Sequence, residues 1–146
     1  MSINFIKGDI STSPDPVIAH GCNCKGGFGS GVAGVVARKW PKARVEYKKV
    51  VRPTSLGNIQ IVNCGSKVIV NMFTQLTYGR TGKHVDYEAV DDCMVKLRTY
   101  AELNLHDAVS IPRIGAGLGG GNWREIERII REAWNGCDIA LNIYSL

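Results

Sequence analysis

Two stretches of this chain carry glycines where a strand-like run gives way to a helical one. The first is His20-Gly21-Cys22-Asn23-Cys24-Lys25-Gly26-Gly27-Phe28-Gly29-Ser30-Gly31-Val32-Ala33. The second is Pro112-Arg113-Ile114-Gly115-Ala116-Gly117-Leu118-Gly119-Gly120-Gly121-Asn122-Trp123. Each contains a G-x-G-x-x-G string, Gly29/Gly31/Gly34 in one and Gly115/Gly117/Gly120 in the other. Glycine lets the backbone approach a ligand closely and take positive φ. The unpaired N–H groups at the start of a following helix, with the helix dipole behind them, attract an anion. Two such nests in one small domain suit two phosphates. The rival reading is a pair of tight turns whose glycines are steric. It is weaker for the two together, since turns rarely need the five glycines found between Gly115 and Gly121. A P-loop is excluded because no G-K-[ST] occurs: Gly82-Lys83 is followed by His84. A dinucleotide-binding fingerprint fits poorly, with Gly34 inside the helix and no acidic residue ending a second strand about 20 residues on.

Other side chains near these loops have chemistry of their own. His20 titrates near neutrality and suits a general acid or base, or else a structural histidine at the end of a buried strand. The polar stretch from Thr77 to His84 holds Arg80 and Lys83, either solvated or folded over an anion whose charge they offset. Lys83 also suits a nucleophile. His20, Cys22 and Cys24 invite a zinc reading, but C-x-C without a second pair is thin, and no metal site is expected.

The elements that must position these groups follow from periodicity. Ile3–Lys7, Val17–His20, Ile59–Val62, Val68–Met72, Ala108–Ile111 and Ile139–Tyr144 read as strands, with a hairpin turn at 63–67. Gly31–Lys39 carries Val32, Val35 and Val36 at helical spacing, and Pro41 opens a second helix. Tyr87–Leu103 places Val90, Cys93, Met94, Leu97 and Ala101 on one face, and Trp123 to Trp134 repeats with the same period. Strands interleaved with helices predict a layered α/β domain with a partly parallel sheet.

The chain's 146 residues, 45% hydrophobic and 21% charged, predict one globular domain over 1–146. No apolar run approaches the roughly 20 residues that span a bilayer, and no secretory leader is recognisable, so a cytoplasmic location without a membrane partner is expected. Five scattered cysteines fit reduced thiols better than a disulfide framework. The net charge of +5 suits an anionic ligand. Much of it lies in Arg38, Lys39, Lys42, Arg44, Lys48, Lys49 and Arg52, read as a solvated helix face, so nucleic acid is not the expected partner.

With these motifs in order, the chain resembles the macro domain family over nearly its whole length. Asn23 stands six positions before Gly29-Ser30-Gly31-Val32-Ala33, similar to the family's asparagine and G-G-G-V-A; Gly8-Asp9-Ile10 is similar to its early G-D-I, and 112–119 to its second phosphate loop. The resemblance implies a single three-layer domain, a mixed sheet with helices on both faces, that binds ADP-ribose and needs no cofactor. It implies that Asp9 accepts a hydrogen bond from adenine with Ile10 beside it, the alternative being a turn or cap aspartate. Asn23 would touch the distal ribose, Gly29, Ser30, Gly31 and Val32 one phosphate, and Gly115, Ala116, Gly117, Leu118 and Gly119 the other phosphate and distal ribose. Tyr144 would stack on adenine or serve as a core tyrosine. Within the family, 20–24 and Tyr78-Gly79-Arg80 are similar to the phosphatases of ADP-ribose-1″-phosphate and to ADP-ribosyl-glutamate hydrolases. The implied activity is release of phosphate from ADP-ribose-1″-phosphate, with Asn23, His20 and Lys83 as the acting residues. The alternatives are removal of ADP-ribose from acidic side chains of an ADP-ribosylated protein and non-catalytic reading of ADP-ribose or a related metabolite. Three departures matter: Ser30 replaces the central glycine, Lys83 lies one residue further upstream of Asp86-Tyr87-Glu88 than the lysine of the glutamate hydrolases, and Gly119 stands where those enzymes carry an aspartate.

Overall fold

A computed structural model describes residues 2–79, 82–117 and 119–146. In chain order the elements are β1 (Ile3–Lys7), β2 (Val17–Asn23), α1 (Gly31–Lys39), α2 (Pro41–Val50), β3 (Ile59–Asn63), β4 (Val68–Gln75), α3 (Tyr87–Leu103), β5 (Ala108–Pro112), α4 (Trp123–Ala133) and β6 (Ala140–Ser145). Short 3-10 turns at Ile10–Thr12 and Pro53–Ser55 complete them. The strands form one six-stranded sheet in the order β1-β6-β5-β2-β4-β3. Every neighbouring pair is parallel except the β3–β4 hairpin.

Buried parallel strands send alternate residues to two cores. Val17, Ala19, Val70, Met72, Val109, Ile111, Leu141 and Ile143 pack with Val90, Met94, Leu97, Ile126 and Ile130 of α3 and α4. Ile18, Cys22, Ile69 and Phe73 pack on the other face with Val36 of α1 and with Ala43 and Tyr47 of α2. The result is three layers, helices on both faces of a mixed sheet, as the resemblance implies.

β2 and β4 each run three residues further than expected, to Asn23 and Gln75. Residues 21–23 look like the start of a loop but are strand, because Met72, Phe73 and Gln75 of β4 pair with them. Gly21 is bare there for packing: a methyl group would sit 2.8 Å from Thr74 Oγ1. Trp134 follows the apolar period of α4 but caps it; its indole N–H donates to the Ile139 carbonyl at 2.8 Å.

Because β1, β6, β5, β2 and β4 are parallel, their C-terminal ends lie along one edge. That edge gathers Asp9 after β1, Tyr144 on β6, the loop after β5, the loop after β2, and the 76–86 connection after β4. Ligands of open parallel sheets bind outside this edge.

Candidate functional site

At one end of the edge, the Gly8 N–H donates to the Ser145 carbonyl at 2.7 Å, extending the β1–β6 pairing up to Asp9. Asp9 is exposed and caps the 10–12 turn, its Oδ1 accepting from the Ser11 N–H at 2.9 Å. That bond, with a smaller contribution from Lys39, holds the carboxyl below the usual range. Asp9 is therefore a cap in this structure, with an anionic side chain still open to solvent. Ile10 is buried beside it. Tyr144 is only 8% exposed and packs in the same cluster as Ile10, which leaves little of its ring for a ligand.

The first glycine-rich loop is organised by one side chain. Asn23 Oδ1 accepts from the N–H groups of Lys25 (3.0 Å) and Gly27 (3.1 Å), and Nδ2 donates to the Gly27 carbonyl at 2.7 Å. The Tyr47 hydroxyl lies 2.8 Å from the Asn23 carbonyl and accepts from the Gly26 N–H at 3.1 Å. Burial raises that hydroxyl above the ordinary tyrosine range. Phe28 plugs the loop into the second core, tilted against Tyr47. Lys48 reaches the Gly26 carbonyl and Lys42 the Asn63 carbonyl, so part of the basic run staples loops and is not simply a solvated face. Asn23, expected at the distal ribose, is thus first of all the loop's organiser.

His20, expected to move protons, lies inside the second layer with no exposure. Its Nε2 is 2.7 Å from Asn71 Oδ1, and its ring meets Phe28 edge-on. Asn71 Nδ2 already donates to the Ala43 carbonyl and Gln60 Oε1, so His20 Nε2 is the donor in the shared bond. Burial pushes the imidazole down to about 4, the Asn71 bond opposing. A neutral ring with no path to solvent positions Phe28 and cannot exchange protons with a ligand.

The helix starts differ. α1 begins at Gly31 with φ +59, its N-cap Ser30 makes no side-chain cap bond, and its first turn carries no acid. Asp86 caps α3 and Asn122 caps α4, each with a glutamate in the first turn. The sequence suggests anion-seeking starts after both glycine loops; only α1 has one. Gly31 and Val32 therefore offer open N–H groups and an uncompensated dipole. Among the described residues, nothing lies within 4 Å of where a side chain on Gly29, before them, would begin.

The second loop is held by its own backbone. The Gly121 N–H donates to the Gly115 carbonyl at 2.8 Å and the Gly120 N–H to the Gly117 carbonyl at 3.1 Å. A side chain at Gly119 would meet Gly115 at 2.8 Å, and one at Gly120 would meet the Gly82 carbonyl at 2.2 Å. Gly117 has no positive φ and, among the described residues, nothing within 4 Å of where a side chain would begin, whereas Gly115 has φ +74. Ala116 lies in the same turn, its N–H on the Arg113 carbonyl at 3.2 Å. Leu118, and Arg80 in the other loop, fall outside the described residues.

The stretch after β4, read from the sequence as solvated or folded over an anion, forms a strap over its described residues 76–79 and 82–85. Tyr78 lies against Gly27 of the first loop. The N–H groups of His84 and Val85 both donate to the Gly119 carbonyl, at 2.7 and 3.1 Å, and Val85 packs against Gly115 and Gly121. The strap therefore touches both glycine loops. Lys83, expected to act at the site, sets its ammonium 4.5 Å from the Tyr87 ring centre and is exposed. All five cysteines are free, Cys64 half-buried and the others buried. Among the described residues, no group of three or more His, Cys, Asp or Glu side chains is arranged to hold a metal.

A sheet edge with two glycine loops and the uncapped start of α1 suits an anionic ligand. Comparison with known proteins names the class. The macro domain profile matches residues 19–130, and the chain belongs to the macro domain family. It is 35% identical over 143 residues to an uncharacterised 17.5 kDa protein of the tk-vs intergenic region of Enterobacteria phage T4, covering 89% of this chain and 88% of that one. It is 30% identical to the ADP-ribose 1″-phosphate phosphatase of Candida albicans, covering 97% and 98%. A solved protein of unknown function from Bacteroides thetaiotaomicron superposes with a TM-score of 0.86 at 31% identity, covering 100% of this chain and 99% of that one.

Proposed function

We propose that this macro domain binds ADP-ribose along the sheet edge and hydrolyses ADP-ribose-1″-phosphate to ADP-ribose and phosphate. The observation that carries the reading is the order of strand ends. Asp9, Ile10 and Tyr144 at β1–β6 suit the adenine end. Next come the β5 and β2 loops, where the Gly29–Val32 and Gly115–Gly117 backbone suits the diphosphate. The strap after β4 lies last, at the distal-ribose end, where a 1″ substituent would project. The relationship to a yeast phosphatase over nearly the full chain supports the same substrate.

The uncapped start of α1 supplies the attraction for one phosphate, worth about 0.3–1 kcal/mol near the surface and more where water is excluded. Gly117 supplies close approach for the other. Asn23, by shaping 24–28, sets the wall beside the distal ribose. Lys83, held over Tyr87, adds positive charge at the strap. Removal of ADP-ribose from acidic side chains of a protein is the weaker reading for a steric reason: an aspartate at 119 would collide with Gly115.

The test is to incubate the protein with ADP-ribose-1″-phosphate and, separately, with a mono-ADP-ribosylated protein, and to measure release of phosphate and of ADP-ribose. Phosphate release from the first is expected. Tight ADP-ribose binding without release from either would make the protein a reader.

A further inference from the structure

Resting on the reading above, we propose that His84 is the proton donor to the departing 1″ oxygen. The strap puts it at the distal end: its N–H is bound to the Gly119 carbonyl at 2.7 Å and the next residue, Val85, packs on Gly115 and Gly121. His84 Nε2 is shut off from solvent and has no hydrogen-bond partner among the described residues. Buried polar atoms are nearly always paired, so an orphan calls for an explanation. Thr74 Oγ1 is also buried and unpartnered, and it lies at the foot of the same connection, where the Thr74 carbonyl accepts from the Asp86 N–H at 2.8 Å. Two buried polar atoms are thus left unpaired at the β4 end of the sheet edge, the distal end in the reading above. Space beside the imidazole is kept by Gly79, where a methyl group would sit 3.3 Å from Nε2. His20 offers no substitute: the whole residue is enclosed and its Nε2 is already bonded to Asn71, whereas His84 is half-buried with an unpartnered Nε2.

In the proposed step a water oxygen bonds to phosphorus as the bond from phosphorus to the 1″ oxygen breaks. The imidazolium Nε2 gives its proton to that oxygen, which leaves as the hydroxyl of ADP-ribose. The water keeps one hydrogen as a hydroxyl of the released phosphate and returns the other to the imidazole. No metal or redox partner enters the balance.

The test compares wild type, His84→Ala and His84→Gln for phosphate release from ADP-ribose-1″-phosphate, for ADP-ribose affinity by calorimetry and for thermal melting. The expected result is a fall in kcat on the order of a hundredfold or more in both variants. Affinity should change less than about threefold, and free imidazole should restore part of the His84→Ala rate. Turnover retained in a variant would overturn the role. So would a rate loss matched by lost affinity and melting temperature in both variants, or one that imidazole leaves untouched. Absence of turnover in wild type would overturn the proposed reaction itself and this role with it, a result distinct from failure in the variants alone.

Discussion

The first glycine-rich loop is braced from outside by side chains, the second from within by its own backbone and by the strap. In the first, Asn23 and Tyr47 bind three successive backbone groups and Phe28 fills the core beneath, so Gly29 and the start of α1 are left open. In the second, Gly119 and Gly120 are bare because backbone presses against them, and among the described residues Gly117 alone of those three has nothing within 4 Å. The same string therefore serves two purposes. A glycine in such a motif belongs to the ligand only where its missing side chain would enter the cleft.

The largest expected effect touches only the first loop, through His20 beneath Phe28. Above pH 6.5 the imidazole is neutral in folded and unfolded chains alike. Between 6.5 and about 4 the unfolded chain takes up a proton that the folded one excludes, so stability falls as pH falls. The loss over that window is roughly 3 kcal/mol. Urea melts from pH 7.5 to 4 check it, and His20→Gln should flatten the slope. An equal slope in the variant would place the acid sensitivity elsewhere.

Gly120→Ala breaks the second loop. A methyl group driven onto the Gly82 carbonyl should cost about 1–3 kcal/mol of stability and weaken ADP-ribose binding as well. Gly117→Val sharpens the distinction: binding should fall by about a hundredfold, near 2.7 kcal/mol, while the melting temperature stays put. Should Gly117→Val bind normally, the diphosphate lies elsewhere; should it unfold, Gly117 is a packing glycine after all.

Tyr47→Phe is the mildest. It strands the Gly26 N–H and one bond to Asn23, for about 1 kcal/mol of stability. Affinity should fall modestly because the loop loosens. Asn23→Ala belongs in the same series. Because Asn23 organises 24–28, it should weaken affinity along with turnover, unlike a group that only assists bond cleavage.

Much of this was legible in the sequence. The α3 limits follow from Val90, Cys93, Met94, Leu97 and Ala101, all of which are buried. The cap role of Asp9 was legible only as the alternative to an adenine contact, whereas both glycine loops announce themselves by spacing. The rest rests on contacts between distant residues, which leave no local trace. β2 continues through Gly21, Cys22 and Asn23 because β4 pairs with it, overriding weak strand propensity. Asn23 meets Tyr47 from α2, 24 residues on. His84 reads as one polar residue among several until the Gly119 carbonyl and the buried Nε2 single it out.

Isothermal calorimetry of the wild-type protein with ADP-ribose, set against ribose-5-phosphate, tests the central claim most directly. Two phosphate contacts and an adenine end should give micromolar affinity for ADP-ribose, about −8 kcal/mol, with ribose-5-phosphate far weaker. No heat with ADP-ribose at millimolar concentration would contradict the account.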